Sequence, residues 1–179
     1  MADARVPKRG CDHIFFVGFL GAGKSTLARN LGEMFHRRYI DTDRMVERRW
    51  GKSVTKTFRT EGEVSFRRKE TEMLASLSAE RSLLVSCGGG IIETPRNIEL
   101  IHEMGYCVYL DGDLGDSLRQ IRRADTRPDF RSPRHARCLL AHRRPLYRQA
   151  ADFTVDIRGK TFTEVSYIVA ELLLERGLL

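Results

Sequence analysis

Gly18-Phe19-Leu20-Gly21-Ala22-Gly23-Lys24-Ser25-Thr26 is the stretch on which the reading of the fold turns. It satisfies G-x-x-x-x-G-K-[ST] and lies between an apolar run, His13–Val17, and an amphipathic stretch, Lys24–Phe35. Glycines there let consecutive backbone N–H groups point inward around a phosphate, at a helix N-terminus whose dipole favours anions. Gly21, Ala22, Gly23 and Thr26 form the cradle with Lys24, which can reach the β- and γ-phosphate oxygens. The Ser25 hydroxyl can ligate Mg²⁺. A glycine-rich turn with a chance lysine is the bland alternative, and the strand–loop–helix setting argues against it. The motif specifies a nucleotide's phosphates and leaves the acceptor open.

Outward from the loop, short apolar runs alternate with helix-length amphipathic stretches. Expected strands are His13–Val17, Arg38–Ile40, Leu83–Ser86, Cys107–Leu110 and Phe153–Val155. Expected helices are Lys24–Phe35, Arg44–Trp50, Val54–Thr60, Glu63–Ser78, Pro95–Met104, Leu114–Arg122, Pro133–Gln149 and Thr163–Arg176. Strands buried on both faces and separated by helices indicate a parallel sheet in a three-layer α/β sandwich. At 179 residues the chain most economically makes one domain, after an N-terminal tail over 1–12. Asp125–Arg134, with two prolines and five charges, is the least core-like segment after that tail and reads as a mobile lid over about 124–135.

The chain is 41% hydrophobic and 31% charged, the balance of an ordinary soluble globular protein. No apolar run approaches the roughly 20 residues needed to cross a membrane, and no h-region of secretory length follows the N-terminal charges. A cytoplasmic location is therefore expected, with no membrane partner. Cys11, Cys87, Cys107 and Cys138 show neither a CxxC pair nor zinc spacing, so reduced and mostly buried thiols are expected. The net charge of +7 is uneven: ten arginines lie between Arg119 and Arg148, opposed there only by Asp125 and Asp129. Such a block suits a nucleic acid, a solvated helix face, or a set of clamps for a small polyanion.

The acceptor side begins after the second expected strand, at Asp41-Thr42-Asp43. Carboxylates at i and i+2 on a strand end point the same way, into the crevice at the carboxyl edge of a parallel sheet. Asp43 could equally N-cap a helix beginning at Arg44. Further on, Gly62-Glu63-Val64-Ser65-Phe66-Arg67-Arg68-Lys69-Glu70 places Arg67 and Glu70 on one helix face. Leu83–Cys87 then runs into Gly88-Gly89-Gly90, which removes every side chain where a ligand could meet backbone N–H groups.

These features, in this order and spacing, resemble shikimate kinase over the span from Ile14 to about Val155. An Arg-Pro in the lid and an arginine before Pro145-Leu146-Tyr147 complete the likeness. The resemblance implies a five-stranded parallel sheet in the order 2-3-1-4-5 and substrate-binding helices over about 42–79. It implies ATP-dependent phosphorylation of the 3-hydroxyl of shikimate, with Mg²⁺. Asp43 would hold the acceptor hydroxyl and act as base, with Lys24 and Arg127 as the other catalytic groups; Asp41 would join Ser25 in the Mg²⁺ shell, through water. Arg67 and Arg143 would clamp the substrate carboxylate, with Glu70 orienting Arg67. Gly88, Gly89 and Gly90 would offer backbone to the substrate hydroxyls, and Phe58 and Phe66 would form apolar walls. Arg127 would close over the phosphates from the lid, and Arg119 and Arg158 would contact adenine.

Three features depart from the family's pattern. The lid reads Arg127-Pro128-Asp129-Phe130 where two leucines usually follow Arg-Pro. The interval from the lid arginine to Arg143 is short, and Ile157–Thr161 lacks a proline that often flanks adenine. A gluconate kinase would also suit paired carboxylate-reading arginines, and a non-catalytic relative using its basic face for a partner is the reading from another class. No nucleic-acid-binding module is recognisable, the arginine block coincides with the expected lid and clamp, and no long exposed apolar stripe is evident. The expectation is a monomer acting on ATP and shikimate, with no nucleic-acid partner.

Overall fold

The computed structural model describes residues 7, 10–115 and 132–179. Five parallel strands form one sheet: β1 (His13–Gly18), β2 (Tyr39–Asp41), β3 (Leu84–Ser86), β4 (Gly105–Asp111) and β5 (Phe153–Asp156). Their order is β2-β3-β1-β4-β5, as the resemblance implied. The described helices are α1 (Lys24–Met34), α2 (Thr42–Trp50), α3 (Val54–Ser76), α4 (Pro95–Met104), α5 (Pro133–Ala150) and α6 (Phe162–Glu175). Of the helix expected at Leu114–Arg122, all but the first two residues lie outside the described residues.

The alternation along β1 builds the layers. Ile14 and Phe16 pack with Leu84, Val108 and Leu110 against Leu27 and Leu31 of α1 and Val169 and Leu173 of α6. Phe15 and Val17 face the other way, into a cluster with Leu74 of α3, Ile101 of α4 and Tyr147 of α5. Every residue of β1 is buried, which is why its sequence reads as a continuous apolar run rather than an alternating one. β1 pairs with β3 through Ile14↔Leu84 and with β4 through His13↔Gly105 to Gly18↔Leu110. The carboxyl ends of β1, β2 and β3 therefore end side by side, with Asp41 in register with Ser86.

Two boundaries differ from expectation for a physical reason. The second strand runs one residue later and passes directly into α2, so that Asp41 is both its last residue and the helix N-cap, accepting from the Arg44 N–H at 3.2 Å. Asp43 is therefore neither on a strand nor the cap; it stands in the first turn of the helix. The helices expected at Val54–Thr60 and Glu63–Ser78 run together as α3, broken only at Gly62, whose φ of 81° and ψ of 170° are not helical.

Candidate active site

The phosphate loop turns from β1 into α1 on left-handed glycines, Gly21 at φ 78° and Gly23 at φ 82°, with Gly23 capping the helix. Neither conformation suits a residue with a Cβ. Lys24 is nearly buried, and its ammonium donates to the carbonyls of Gly18 at 2.8 Å and Phe19 at 2.9 Å. Ser25 Oγ donates to Asp41 Oδ2 at 2.6 Å and lies 3.0 Å from Ser86 Oγ. Ser25 and Asp41 come from different elements yet bring a hydroxyl and a carboxylate together beside the loop. Such oxygens suit a hard divalent cation that takes few protein ligands and leaves its other positions to phosphate and water. Among the described residues, no three His, Cys, Asp or Glu side chains gather into a richer metal cluster.

Across the cleft, the three glycines each front a different polar side chain. A Cβ at Gly88 would strike the Asp43 carboxylate, one at Gly90 would meet the Arg67 guanidinium, and one at Gly89 would lie 3.5 Å from Arg143 Nη1. The absence of side chains there is what lets these groups approach the backbone. Gly88 is held by its N–H donating to Thr42 Oγ1 at 2.8 Å, and Gly89 by its carbonyl accepting from the Tyr147 hydroxyl at 2.6 Å.

The face shared by Arg67 and Glu70 forms as the spacing indicates: Arg67 Nη1 donates to Glu70 Oε2 at 2.9 Å. Arg67 lies 5.8 Å from the Phe58 ring centroid and 5.5 Å from that of Phe66, and the two rings are 4.7 Å apart. Glu70 is 1% exposed, and desolvation pushes its carboxyl up to about 7 despite the opposing pull of Arg67. Glu70 Oε1 and Arg67 Nε are buried with no hydrogen-bond partner among the described residues. A polar ligand reaching them would recover part of that cost. Cys87 lies under the same wall, but burial holds its thiol well above the ordinary range, so it offers no nucleophile.

Arg143, in the middle of α5, is 2% exposed and comes up behind Gly89. The residue that joins it to Arg67 is one the sequence reading passed over. Glu93 accepts from Arg143 Nε at 2.7 Å through Oε1 and from Arg67 Nη2 at 3.2 Å through Oε2. Its only sequence signal was its position three residues after a glycine triplet, and nothing there revealed the single 3₁₀ turn, Ile91–Glu93, that aims it back.

Together these walls enclose a cleft of about 800 Å³ at the carboxyl edge of the sheet. Gly21, Gly23, Lys24, Ser25, Thr26, Asp41, Asp43, Phe58, Phe66, Arg67 and Gly88–Gly90 line it. Ala22 is buried in the loop and does not line the cleft. Arg158, expected near adenine, is not on this wall either; it is bound to Asp156 through two contacts of 2.7 Å. Arg119 and Arg127, with most of the lid, lie outside the described residues. Arg44, Glu47, Ser53, Thr55 and Ser86 also line the cleft and were not singled out from sequence.

Comparison with known proteins agrees with this geometry. The family model described as shikimate kinase matches residues 20–173. A shikimate kinase of Halorhodospira halophila is 36% identical over 97% of both chains, and one of Vibrio campbellii is 33% identical over 92% of this chain and 97% of its own. A shikimate kinase from Acinetobacter baumannii, solved in complex with shikimate, superposes with a TM-score of 0.87 at 33% identity, covering 93% of this chain and 95% of that one. A gluconokinase from Sinorhizobium meliloti, at 14% identity and a TM-score of 0.54, shares the fold alone. With a matching model over most of its length and relatives of this identity along nearly all of it, the chain belongs to the shikimate kinase family.

Proposed function

We propose that this shikimate kinase moves the γ-phosphoryl group of ATP to the 3-hydroxyl of shikimate with Asp43 as aligner and base. The observation that carries this assignment is the placement of Asp43, in the first turn of α2, on the same cleft as Lys24 and Ser25 and directly against Gly88. Phosphoryl transfer has a loose transition state, so the protein mainly aligns the acceptor oxygen and offsets charge. A carboxylate accepting the hydroxyl's hydrogen bond fixes that oxygen toward the γ-phosphorus and takes its proton late. Lys24, already beside the loop carbonyls, follows the charge on the phosphate oxygens. The residues present fit Mg²⁺: Ser25, with Asp41 through water, would hold it, and when bound it supplies neutralising charge at the phosphates.

Arg67 and Arg143 take the substrate carboxylate, which lies remote from the chemistry, and Phe58 and Phe66 flank the ring. Gly88–Gly90 offer backbone groups to the hydroxyls. Arg127 and Arg119 take the phosphates and adenine from outside the described residues. The cleft of about 800 Å³ and the pairing of Arg67 and Arg143 with internal carboxylates favour ATP and shikimate as partners rather than a nucleic acid. The chain acts as a monomer in the cytoplasm; the cysteines, none of them in a disulfide among the described residues, fit a reducing compartment.

Asp43→Asn tests the assignment, because it keeps size and hydrogen bonding but removes the charge and the basic site. A coupled assay should show kcat reduced roughly 10²–10⁴-fold with ATP still bound. A fully active Asp43→Asn enzyme would refute the role.

A further inference from the structure

We propose that Glu93 is an internal occupant of the carboxylate clamp, a specificity-determining residue whose carboxylate must give way to that of the acceptor. This rests on the reading of Arg67 and Arg143 as the groups that bind the substrate carboxylate. Two arginines that bind one carboxylate between them already hold one: Glu93 gives one oxygen to Arg143 at 2.7 Å and the other to Arg67 at 3.2 Å. Arg67 also contacts Glu63 at 3.1 Å and Glu70 at 2.9 Å. The forks that an arriving carboxylate would use are thus already occupied by carboxylates of the chain itself. Burial sharpens the point. Arg143 is 2% exposed, and a buried cation requires an anion beside it. Glu93 is such an anion when no acceptor is bound, and the acceptor's carboxylate takes its place afterwards.

Glu93 is well placed for exchange. It ends a single 3₁₀ turn, held by its N–H donating to the Gly90 carbonyl at 3.0 Å, and its side chain keeps 20% exposure while Arg143 has almost none. The carboxylate can swing to solvent while the arginines stay fixed by α3 and α5. Binding thus trades one carboxylate for another at the same forks. Part of the acceptor's binding free energy goes into that exchange, which lowers its apparent affinity.

Glu93→Gln keeps the volume and removes the charge. KM for shikimate should fall roughly three- to tenfold, the factor of one net hydrogen-bonded interaction, with kcat and the KM for ATP unchanged. Shikimate alone should raise the melting temperature of Glu93→Gln more than that of the wild type, because in the variant the ligand's carboxylate no longer has to displace that of Glu93 from Arg143 and Arg67. An analogue carrying a hydroxymethyl group in place of the carboxylate should gain nothing from the substitution, which a merely structural role of Glu93 would not predict. If Glu93→Gln is too unstable to assay, Glu93→Asp retains the charge but is too short to span both arginines, and the same fall in KM is expected at smaller size. A shikimate KM that rises or stays constant in the folded variants overturns the proposal while leaving the clamp intact. Failure of Arg67→Lys and Arg143→Lys to alter the shikimate KM removes the clamp reading, and the proposal with it.

Discussion

Lys24 sits at the meeting of loop and helix with its ammonium donating to two backbone carbonyls, at 2.8 and 2.9 Å, and in the proposed reaction it acts on the phosphates. Lys24→Ala should leave the circular dichroism spectrum unchanged and lower kcat by roughly 10²-fold or more, since it removes a charge that follows the migrating group. Near wild-type turnover in the folded variant would exclude Lys24 from the chemistry. Arg67 raises a question of geometry rather than of charge. Arg67→Lys keeps the cation but loses the planar fork, so the KM for shikimate should rise while that for ATP changes little. Gly90→Ala offers an independent probe of the same group. Its added methyl would fall 2.6 Å from Arg67 Nη1 and 2.7 Å from Cζ, the far end of a flexible side chain, so Arg67 should move and the fold should survive. Shikimate KM measured beside a melting curve would separate these effects; an unchanged KM would mean that Arg67 does not bind the acceptor.

At the scale of the element, α3 decides the shape of the cleft wall that Phe58, Phe66, Arg67 and Glu70 form. Gly62 lets the helix break between the half that carries Phe58 and the half that carries Phe66, Arg67 and Glu70. Its φ of 81° and ψ of 170° belong to a region that only glycine enters readily, and open space surrounds the position, so the cost of a Cβ there is one of backbone strain alone. Gly62→Ala should destabilise the protein by about 1–3 kcal/mol, a fall in melting temperature of roughly 2–12 °C. It should also raise the shikimate KM, as the two halves realign. A variant with unaltered melting temperature and KM would show that the break is incidental. Glu61 braces the break from outside, accepting from Lys52 at 2.6 Å, Lys69 at 2.5 Å and Ser65 at 2.9 Å.

For the molecule as a whole, two buried groups on different elements oppose each other in pH. His13 spans β1 and the chain around β3, with Nε2 3.0 Å from the Leu77 carbonyl and Nδ1 accepting from the Leu83 N–H, so the neutral ring donates at Nε2. Desolvation lowers its pKa below the ordinary 6.5, and the stability it contributes is complete above 6.5 and is lost as pH falls toward the lowered value. Glu70 has the opposite sign. Raised from 4.5 to about 7, it contributes stability that is complete below 4.5 and is lost as pH rises through about 7. Melting temperatures recorded from pH 5 to 8 should therefore lose part of their rise with pH in His13→Gln and part of their fall in Glu70→Gln. Parallel curves for both variants and the wild type would refute the assignment. Much of this architecture was legible in the residues alone. The loop Gly18–Thr26 and the doubly buried strands made a parallel sheet with a phosphate site at its carboxyl edge, because local spacing determines which faces are apolar and where backbone N–H groups converge. The Arg67–Glu70 pair followed from helical periodicity for the same reason. Tertiary structure alone decided that Asp41, not Asp43, caps α2, because the cap depends on where β2 stops pairing with β3. It alone brought Glu93 to Arg67 and Arg143, residues 26 and 50 positions away, because an ion pair between separate elements leaves no periodic trace in the sequence and exists only once the chain has folded.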